Sequence, residues 1–281
     1  MGRVRPSVSL RMVRFFKVQL DSLARLAEDA AMDTATVHNY FDSEGVVEHY
    51  AEAAERVGLW RSEQLIFQRL FKTEDTLLEL GCGCGRIALG LSTLGYRNIM
   101  AIDYARNMIK QARLLARRHD RAVHFRMGDA TALEFENELF DGAIFGFNGL
   151  MQIPGAARRE KALQEIFRVL RPGAWFVFTA HDRDNPRHRS FWDKERQRWR
   201  NGKQLSALDD FGDRFESTPL GDLYIHVPTN DAIRQTLKAV GFRIEVDALR
   251  SAIANESPDV REFSDDTRFW VVQKPATSPQ P

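Results

Sequence analysis

The chain holds only two cysteines in 281 residues, Cys82 and Cys84, and both fall inside one glycine-rich turn. A C-x-C pair with no histidine or cysteine near it is a poor zinc site, so no metal is expected, and the two thiols read as small residues filling a crowded turn. Neither sign of charge dominates, with 40 Lys and Arg against 39 Asp and Glu. That balance removes any global electrostatic case for nucleic acid or a membrane surface. No apolar run approaches the roughly 20 residues that span a bilayer. The basic start of the chain lacks the apolar block of a signal peptide, so a cytoplasmic protein is expected. No internal repeat is visible. The length is enough to bury a sizeable core, as one large domain or one domain with an elaborated cap.

One stretch organises what is there. Leu77–Leu80 is a short, mostly apolar run fit for a buried strand. Gly81, Gly83 and Gly85 follow at every second position, and Ile87, Leu91 and Leu94 then fall in helical register. Strand, glycine turn and helix make the first half of a nucleotide-binding βαβ unit, in which glycines allow positive φ and close approach of a ligand. A second apolar strand, Asn98–Ile102, ends at Asp103, about where such folds place a carboxylate that accepts from ribose hydroxyls. A third, Ala122–Phe125, leads to Asp129. Phe140–Asn148 reads as the fourth strand, Arg158–Leu170 as a helix broken at Pro172–Gly173, and Ala174–Ala180 as the fifth strand, with His181 at its end.

These markers, in order, are Glu79-Leu-Gly-Cys-Gly-Cys-Gly-Arg86, Ile102-Asp103-Tyr104, Gly128-Asp129-Ala130, Phe140-Asp141-Gly142 and Leu170-Arg-Pro-Gly173. Together they resemble the class I S-adenosylmethionine-dependent methyltransferases. The resemblance covers roughly 50–181 well and the C-terminal third loosely. It implies an α/β, Rossmann-like, doubly wound sheet of seven strands in the order 3-2-1-4-5-7-6, mostly parallel with the last strand antiparallel. It also implies S-adenosyl-L-methionine as cofactor. By the same resemblance Gly81, Cys82, Gly83 and Gly85 form the loop against the cofactor, and Glu79 and Arg86 stand around its methionine end. Asp103 binds ribose, Tyr104 and Met108 flank the site, and Asp129 with Ala130 meets adenine. Asn148 closes the fourth strand beside the cofactor's ammonium, or faces substrate, and Tyr50 covers the methionine end. Asp141 reads as a structural turn residue.

Around this core the expected organisation is a helical cap over 1–49, a cofactor-binding core over 50–181 and a lid over 182–219. The sheet is completed over 220–275, and a flexible tail runs over 276–281. Val8–Ala31 carries Leu10, Val13, Phe16, Leu20, Leu23 and Leu26 near helical spacing, an apolar stripe that needs a partner such as a second subunit. Leu23–Val47 resembles the helix-turn-helix of tetracycline-repressor-type regulators, although Ala31 and Glu44 depart from the usual glycine and lysine, and Asp33, Asp42 and Glu48 repel phosphate. The insertion after His181 is rich in arginine and carries Phe191, Trp192 and Trp199. A segment of that length is rarely idle in a compact domain, and it reads as a lid that supplies Arg183, Phe191, Trp192 and Trp199 to an acceptor. His181 and His226 are the candidate acceptor-binding histidines, with His181 as general base.

The leading expectation is methylation of a small molecule at O, N or S, anionic or aromatic. RNA methylation is the rival that the Arg- and Trp-bearing lid favours, and a DNA-binding regulator is a further alternative. A nicotinamide dehydrogenase survives at the loop alone, where Gly83, Gly85 and Ala88 keep the G-x-G-x-x-A form, but the later markers disfavour it. Asn148-Gly-Leu-Met lacks the Asn/Asp-Pro-Pro-Tyr/Phe pattern of adenine and glutamine methylation, and no Pro-Cys exists to attack cytosine. With both cysteines in the loop, a cysteine-lined arsenic site is also disfavoured.

Overall fold

A computed structural model of the chain describes residues 34–276. The expected helices over 8–31 and the tail beyond residue 276 lie outside those residues, as does the stripe read as a subunit contact. Three helices precede the sheet: α1 (Thr34–Asp42), α2 (Glu44–Arg56) and α3 (Arg61–Leu70). The alternating part then runs β1 (Thr76–Leu80), α4 (Arg86–Thr93), β2 (Asn98–Asp103), α5 (Arg106–Arg118), β3 (His124–Met127), β4 (Phe140–Phe145), α6 (Ala156–Val169) and β5 (Leu170–Ala180). An insertion follows with α7 (Arg189–Arg200), β6 (Asp213–Thr218) and β7 (Gly221–His226). The chain returns through α8 (Asn230–Val240), β8 (Arg243–Leu249), α9 (Arg250–Ile253), α10 (Pro258–Phe263) and β9 (Arg268–Gln273).

Seven strands pair in the order β3-β2-β1-β4-β5-β9-β8, with β1 to β5 parallel and β9 antiparallel to both β5 and β8. Leaving out the separate β6–β7 hairpin, this is the expected order. The strands of β1 show why they sit at the centre. Leu78 and Leu80 face one layer with Phe176, Phe178 and Ile166, while Leu77 faces the other with Phe67, Phe71 and Leu91. Side chains alternate across a strand, so an apolar run with no polar alternation is stable only when both faces are covered. Asp141 is structural, as read from the sequence: its Oδ2 accepts from the Thr76 amide at 2.9 Å, and it pairs with Arg171.

Strand β3 lies two residues later than expected, at His124–Met127, and α6 starts two residues earlier, at Ala156; three further differences bear on the site. Strand β4 stops at Phe145 rather than Asn148, because Phe147 and Asn148 take φ of 48° and 62°, which no strand accommodates. Strand β5 starts at Leu170 and runs through Pro172–Gly173, with a register shift against β4 between Phe140 and Gly142. The third correction concerns 182–219 and 220–275. Residues 221–226 do not complete the large sheet; they pair with 213–218, so the expected boundary cuts the hairpin at its turn. No described helix is long and apolar enough to cross a membrane.

Candidate functional site

A cavity opens at the C-terminal ends of β1, β2 and β4, where ligands bind in open α/β sheets. Its floor is the glycine turn. Gly83 has φ of 53°, and a Cβ added there meets only Tyr50 and Met108, at 3.9 and 4.0 Å, so the backbone lies open to the cavity. Gly85, also expected to face a ligand, turns away instead: a Cβ there falls 2.8 Å from the Phe125 ring, and the glycine serves to seat α4 against β3.

Asp103 fixes the turn. Its Oδ2 accepts from the Gly83 amide and its Oδ1 from the Ala105 amide, both at 2.8 Å. Burial pushes its carboxyl above the usual range, and the two amides act against that shift. Each oxygen keeps a second lone pair for a hydroxyl. Glu79 is 3% exposed, and its Oε2 has no hydrogen-bond partner. Burial pushes it up to about 8, opposed by Arg86. Arg86 lines the cavity, yet its charge is already committed. It binds Glu63 through two contacts of 2.6 Å, donates to Gly58 O at 2.8 Å and lies over the Trp60 ring. Glu63 in turn accepts from the Trp60 amide and so orders the start of α3.

Of the remaining residues expected around a cofactor, Tyr50, Gly81, Cys82, Tyr104, Met108, Asp129 and Ala130 all line this cavity. Burial pushes the Cys82 thiol well up and Cys84 up to about 12, so neither is a thiolate near neutral pH. Asn148 is not a lining residue. It lies behind the wall, 3% exposed, with Nδ2 3.2 Å from His181 Nε2 and its amide donating to Thr179 Oγ1. His181 stands with it, outside the cavity, and burial pulls it down to about 3, with Arg214 and His188 adding to the shift. A ring so hard to protonate, and walled off from the cavity, does not fit the expected general base.

The insertion is also placed differently from the expectation. Arg183, Phe191, Trp192, Trp199 and His226 do not line the cavity. They pack within the insertion and against the core of the sheet. Trp192 is 4% exposed, sits edge-on to Phe191 and Phe211, and belongs to the core cluster of β4 and β5. Trp199 also packs on Phe211, and Arg183 lies over that ring while donating to Phe211 O. His226 Nδ1 is 2.7 Å from Asp213 Oδ1, which also accepts from Tyr224 OH. Asp210, Asp213 and His226 offer ligand atoms within 4.8 Å of one another, but Arg159 already sits on the two carboxylates at 3.0 and 3.9 Å. The arginines and tryptophans that resemble a ligand site by composition stack on one another and on Phe211, although the buried Arg183 Nε and Trp192 Nε1 have no hydrogen-bond partner.

The cavity instead gains residues that sequence reasoning passed over. Thr34, Val37, His38 and Phe41 form one face of α1, spaced 3, 1 and 3 apart, and all four line it. The described half of the segment resembling a helix-turn-helix is therefore packed on this cavity. Phe147 and Phe263 complete the wall, stacked at 5.0 Å, with Tyr50 edge-on to Phe147 at 6.0 Å. Two consecutive non-glycine residues in the left-handed region mark strain that the surroundings must hold, as occurs at functional sites.

Residues 77–173 match the family model described as a methyltransferase domain. The chain is 39% identical over 105 residues to a demethylmenaquinone methyltransferase of Leptospira interrogans, covering 36% of this chain and 41% of that protein. It is 30% identical over 140 residues to a 2-phytyl-1,4-naphtoquinone methyltransferase of Nostoc punctiforme, covering 47% and 58%. The match thus spans only about two fifths of the length of the first of these relatives. Among solved structures, an S-adenosylmethionine-dependent methyltransferase from Methanosarcina mazei superposes with a TM-score of 0.60 at 22% identity, covering 75% of this chain and 98% of that one. A [4+2]-cyclase, SpnF, superposes with a TM-score of 0.61 at 19% identity over 89% of this chain and all of that one. At such identities the likeness concerns the fold, and the fold hosts more than one chemistry.

Proposed function

Since the chain carries a class I S-adenosylmethionine-dependent methyltransferase domain, we propose that it transfers a methyl group to a small, flat, largely apolar acceptor. The observation that carries this reading is one cavity holding both a cofactor floor and an aromatic wall. On the floor, Asp103 offers lone pairs for ribose hydroxyls, the unpartnered Glu79 Oε2 offers a counter-charge for an ammonium, and Asp129, which also lines the cavity, offers an acceptor for the adenine amino group. These donor sets fit S-adenosylmethionine, which when bound supplies an electrophilic methyl on a sulfonium. The chain's own task is to hold a nucleophile beside it and exclude water.

The wall of Phe41, Tyr50, Phe147 and Phe263 suits a ring. An anionic acceptor is less well served. Arg86 is neutralised by Glu63, and Arg158, at the rim, is exposed. The quinone-type names of two relatives agree with an apolar ring. The test is calorimetry with S-adenosylhomocysteine, then turnover of a panel holding 1,4-naphthohydroquinone, benzoate-type acids and bulk tRNA. Binding with preference for the hydroquinone supports the reading, and preference for tRNA replaces it with RNA methylation. Absence of cofactor binding ends it. Asp103→Ala should weaken S-adenosylhomocysteine by roughly 1–3 kcal/mol, because buried hydroxyls and two loop amides lose their acceptor.

A further inference from the structure

The near-equal totals of acid and base hide one local asymmetry. Helix α5 carries Arg106, Lys110, Arg113, Arg117 and Arg118 and no acid. The first four are spaced 4, 3 and 4 apart, so they form one stripe along the helix, opposite the buried face of Met108, Ile109, Ala112, Leu115 and Ala116. All four are exposed. Arg118 pairs with Glu55 and Arg113 donates to Phe125 O, but among the described residues no acid pairs with Arg106, Lys110, Arg113 or Arg117. Like charges three and four apart destabilise a helix, and a cation in the first turn opposes its dipole. The stripe therefore burdens the isolated fold, and an anionic partner would offset that.

The stripe starts at the rim of the cavity. Tyr104 lines the cavity and is also 46% exposed, two residues before Arg106. Met127, 44% exposed, pairs in register with Asp103 at the same end of the sheet. Asp42 ties the end of α1, whose inner face lines the cavity, to Asn107 in the first turn of α5. Leu114, 43% exposed, stands one turn from Lys110, Arg117 and Arg118. A broad anionic surface laid on the stripe thus also meets exposed apolar side chains beside the rim.

Resting on the apolar-acceptor reading above for its purpose, we propose that α5 docks the chain on an anionic lipid surface and so brings the rim of the cavity to the bilayer, where an apolar acceptor concentrates. Lying on a membrane needs no helix that crosses it. Each Lys or Arg held near such a surface raises partitioning about fivefold, so the stripe acts through its number rather than through any one residue. A nucleic acid offers phosphates too, but it gives Leu114 and Met127 no apolar phase to enter, whereas the boundary of headgroups and acyl chains does.

The test is flotation of the full chain with vesicles of phosphatidylcholine alone and of equal parts phosphatidylcholine and phosphatidylglycerol, with neither cofactor nor acceptor present. The wild type should float with the anionic vesicles only and should lose that partitioning as salt screens the charges. Arg106→Gln, Lys110→Gln and Arg117→Gln together should lower it about a hundredfold. Arg189→Gln, Lys194→Gln and Arg200→Gln remove the same charge from exposed positions on α7 and should leave it within a few fold. If the triple α5 variant does not fold, Lys110→Gln and Arg117→Gln singly should each lower partitioning about fivefold. A wild type that stays off the anionic vesicles, an α5 variant that floats as well as the wild type, or equal losses in the α5 and α7 variants overturns the proposal. Bulk tRNA that strips the wild type from the vesicles at the same salt also overturns it, in favour of a nucleic-acid surface. Flotation without turnover of the hydroquinone leaves the docking and ends the acceptor reading; turnover without flotation does the reverse.

Discussion

Glu79 shows how much one residue can report. Its carboxyl is buried, opposed only in part by Arg86, and pushed up to about 8. At pH 7 it is therefore mostly protonated in the ligand-free protein. An ammonium arriving beside it favours the carboxylate, so S-adenosylhomocysteine binding at pH 7 should release close to one proton. Calorimetry in buffers of different ionisation enthalpy measures this directly, and Glu79→Gln should abolish the buffer dependence. The same shift fixes a stability trend. A carboxyl whose folded pKa is raised binds more protons folded than unfolded between about 4.3 and 8, so stability falls as pH rises across that window. Glu79→Gln should accordingly raise the ligand-free melting temperature more at pH 8 than at pH 5. At this scale the sequence was legible where contacts are local. Asp103 meets Gly83 and Ala105 within its own βαβ unit, and the spacing predicts it. Arg86 was not legible in full, because its partner Glu63 lies 23 residues away on another helix. His38 and Phe263 were missed for the same reason: nothing local marks a side chain that arrives from a distant helix.

The elements around the site divide into fixed and attached ones. Helix α3 is fixed. Glu256 accepts from the Arg61 and Ser62 amides at its start, and Glu63 joins it to Arg86. Removing one partner of so buried a pair strands the other charge, so Glu63→Leu should cost about 3–5 kcal/mol in urea unfolding. Helix α1 is attached by fewer hydrogen bonds, Asp42 to Asn107 and Tyr40 OH to Thr218 Oγ1 at 3.3 Å, together with the aromatic edges of His38 and Phe41. Asp42 also places a carboxylate at the start of α5, where the helix dipole favours it. Asp42→Ala should cost about 1 kcal/mol, and hydrogen exchange should quicken over 34–42 while α4 stays protected. The alternation of strands and helices was readable because period and turn residues are properties of short windows. The role of α7 was not, because an Arg- and Trp-rich helix has the same composition whether it grips a ligand or its own neighbours.

Across the whole molecule, the insertion and the sheet share one interior. Trp192 of α7 packs in the same cluster as Leu78, Phe178 and Trp270. Trp192→Ala should therefore destabilise the chain by about 3–5 kcal/mol while S-adenosylhomocysteine affinity under native conditions stays within twofold. Denaturant unfolding and calorimetry on the same variant separate the two effects. A large loss of affinity would mean that the insertion reaches the cofactor after all.

Strand β9 occupies an interior place in the sheet, between β5 and β8, although it is the last of the described strands along the chain. During synthesis, then, every other described strand leaves the ribosome before the one that bridges two of them. Until Arg268–Gln273 emerges, β5 presents an open, mostly apolar edge, Phe176 to Ala180, and β8 has no strand to pair with. An open edge of that kind invites pairing with other chains. The nascent protein is thus exposed longest at a strand of its core, and that edge is shielded only when β9 slides into the gap.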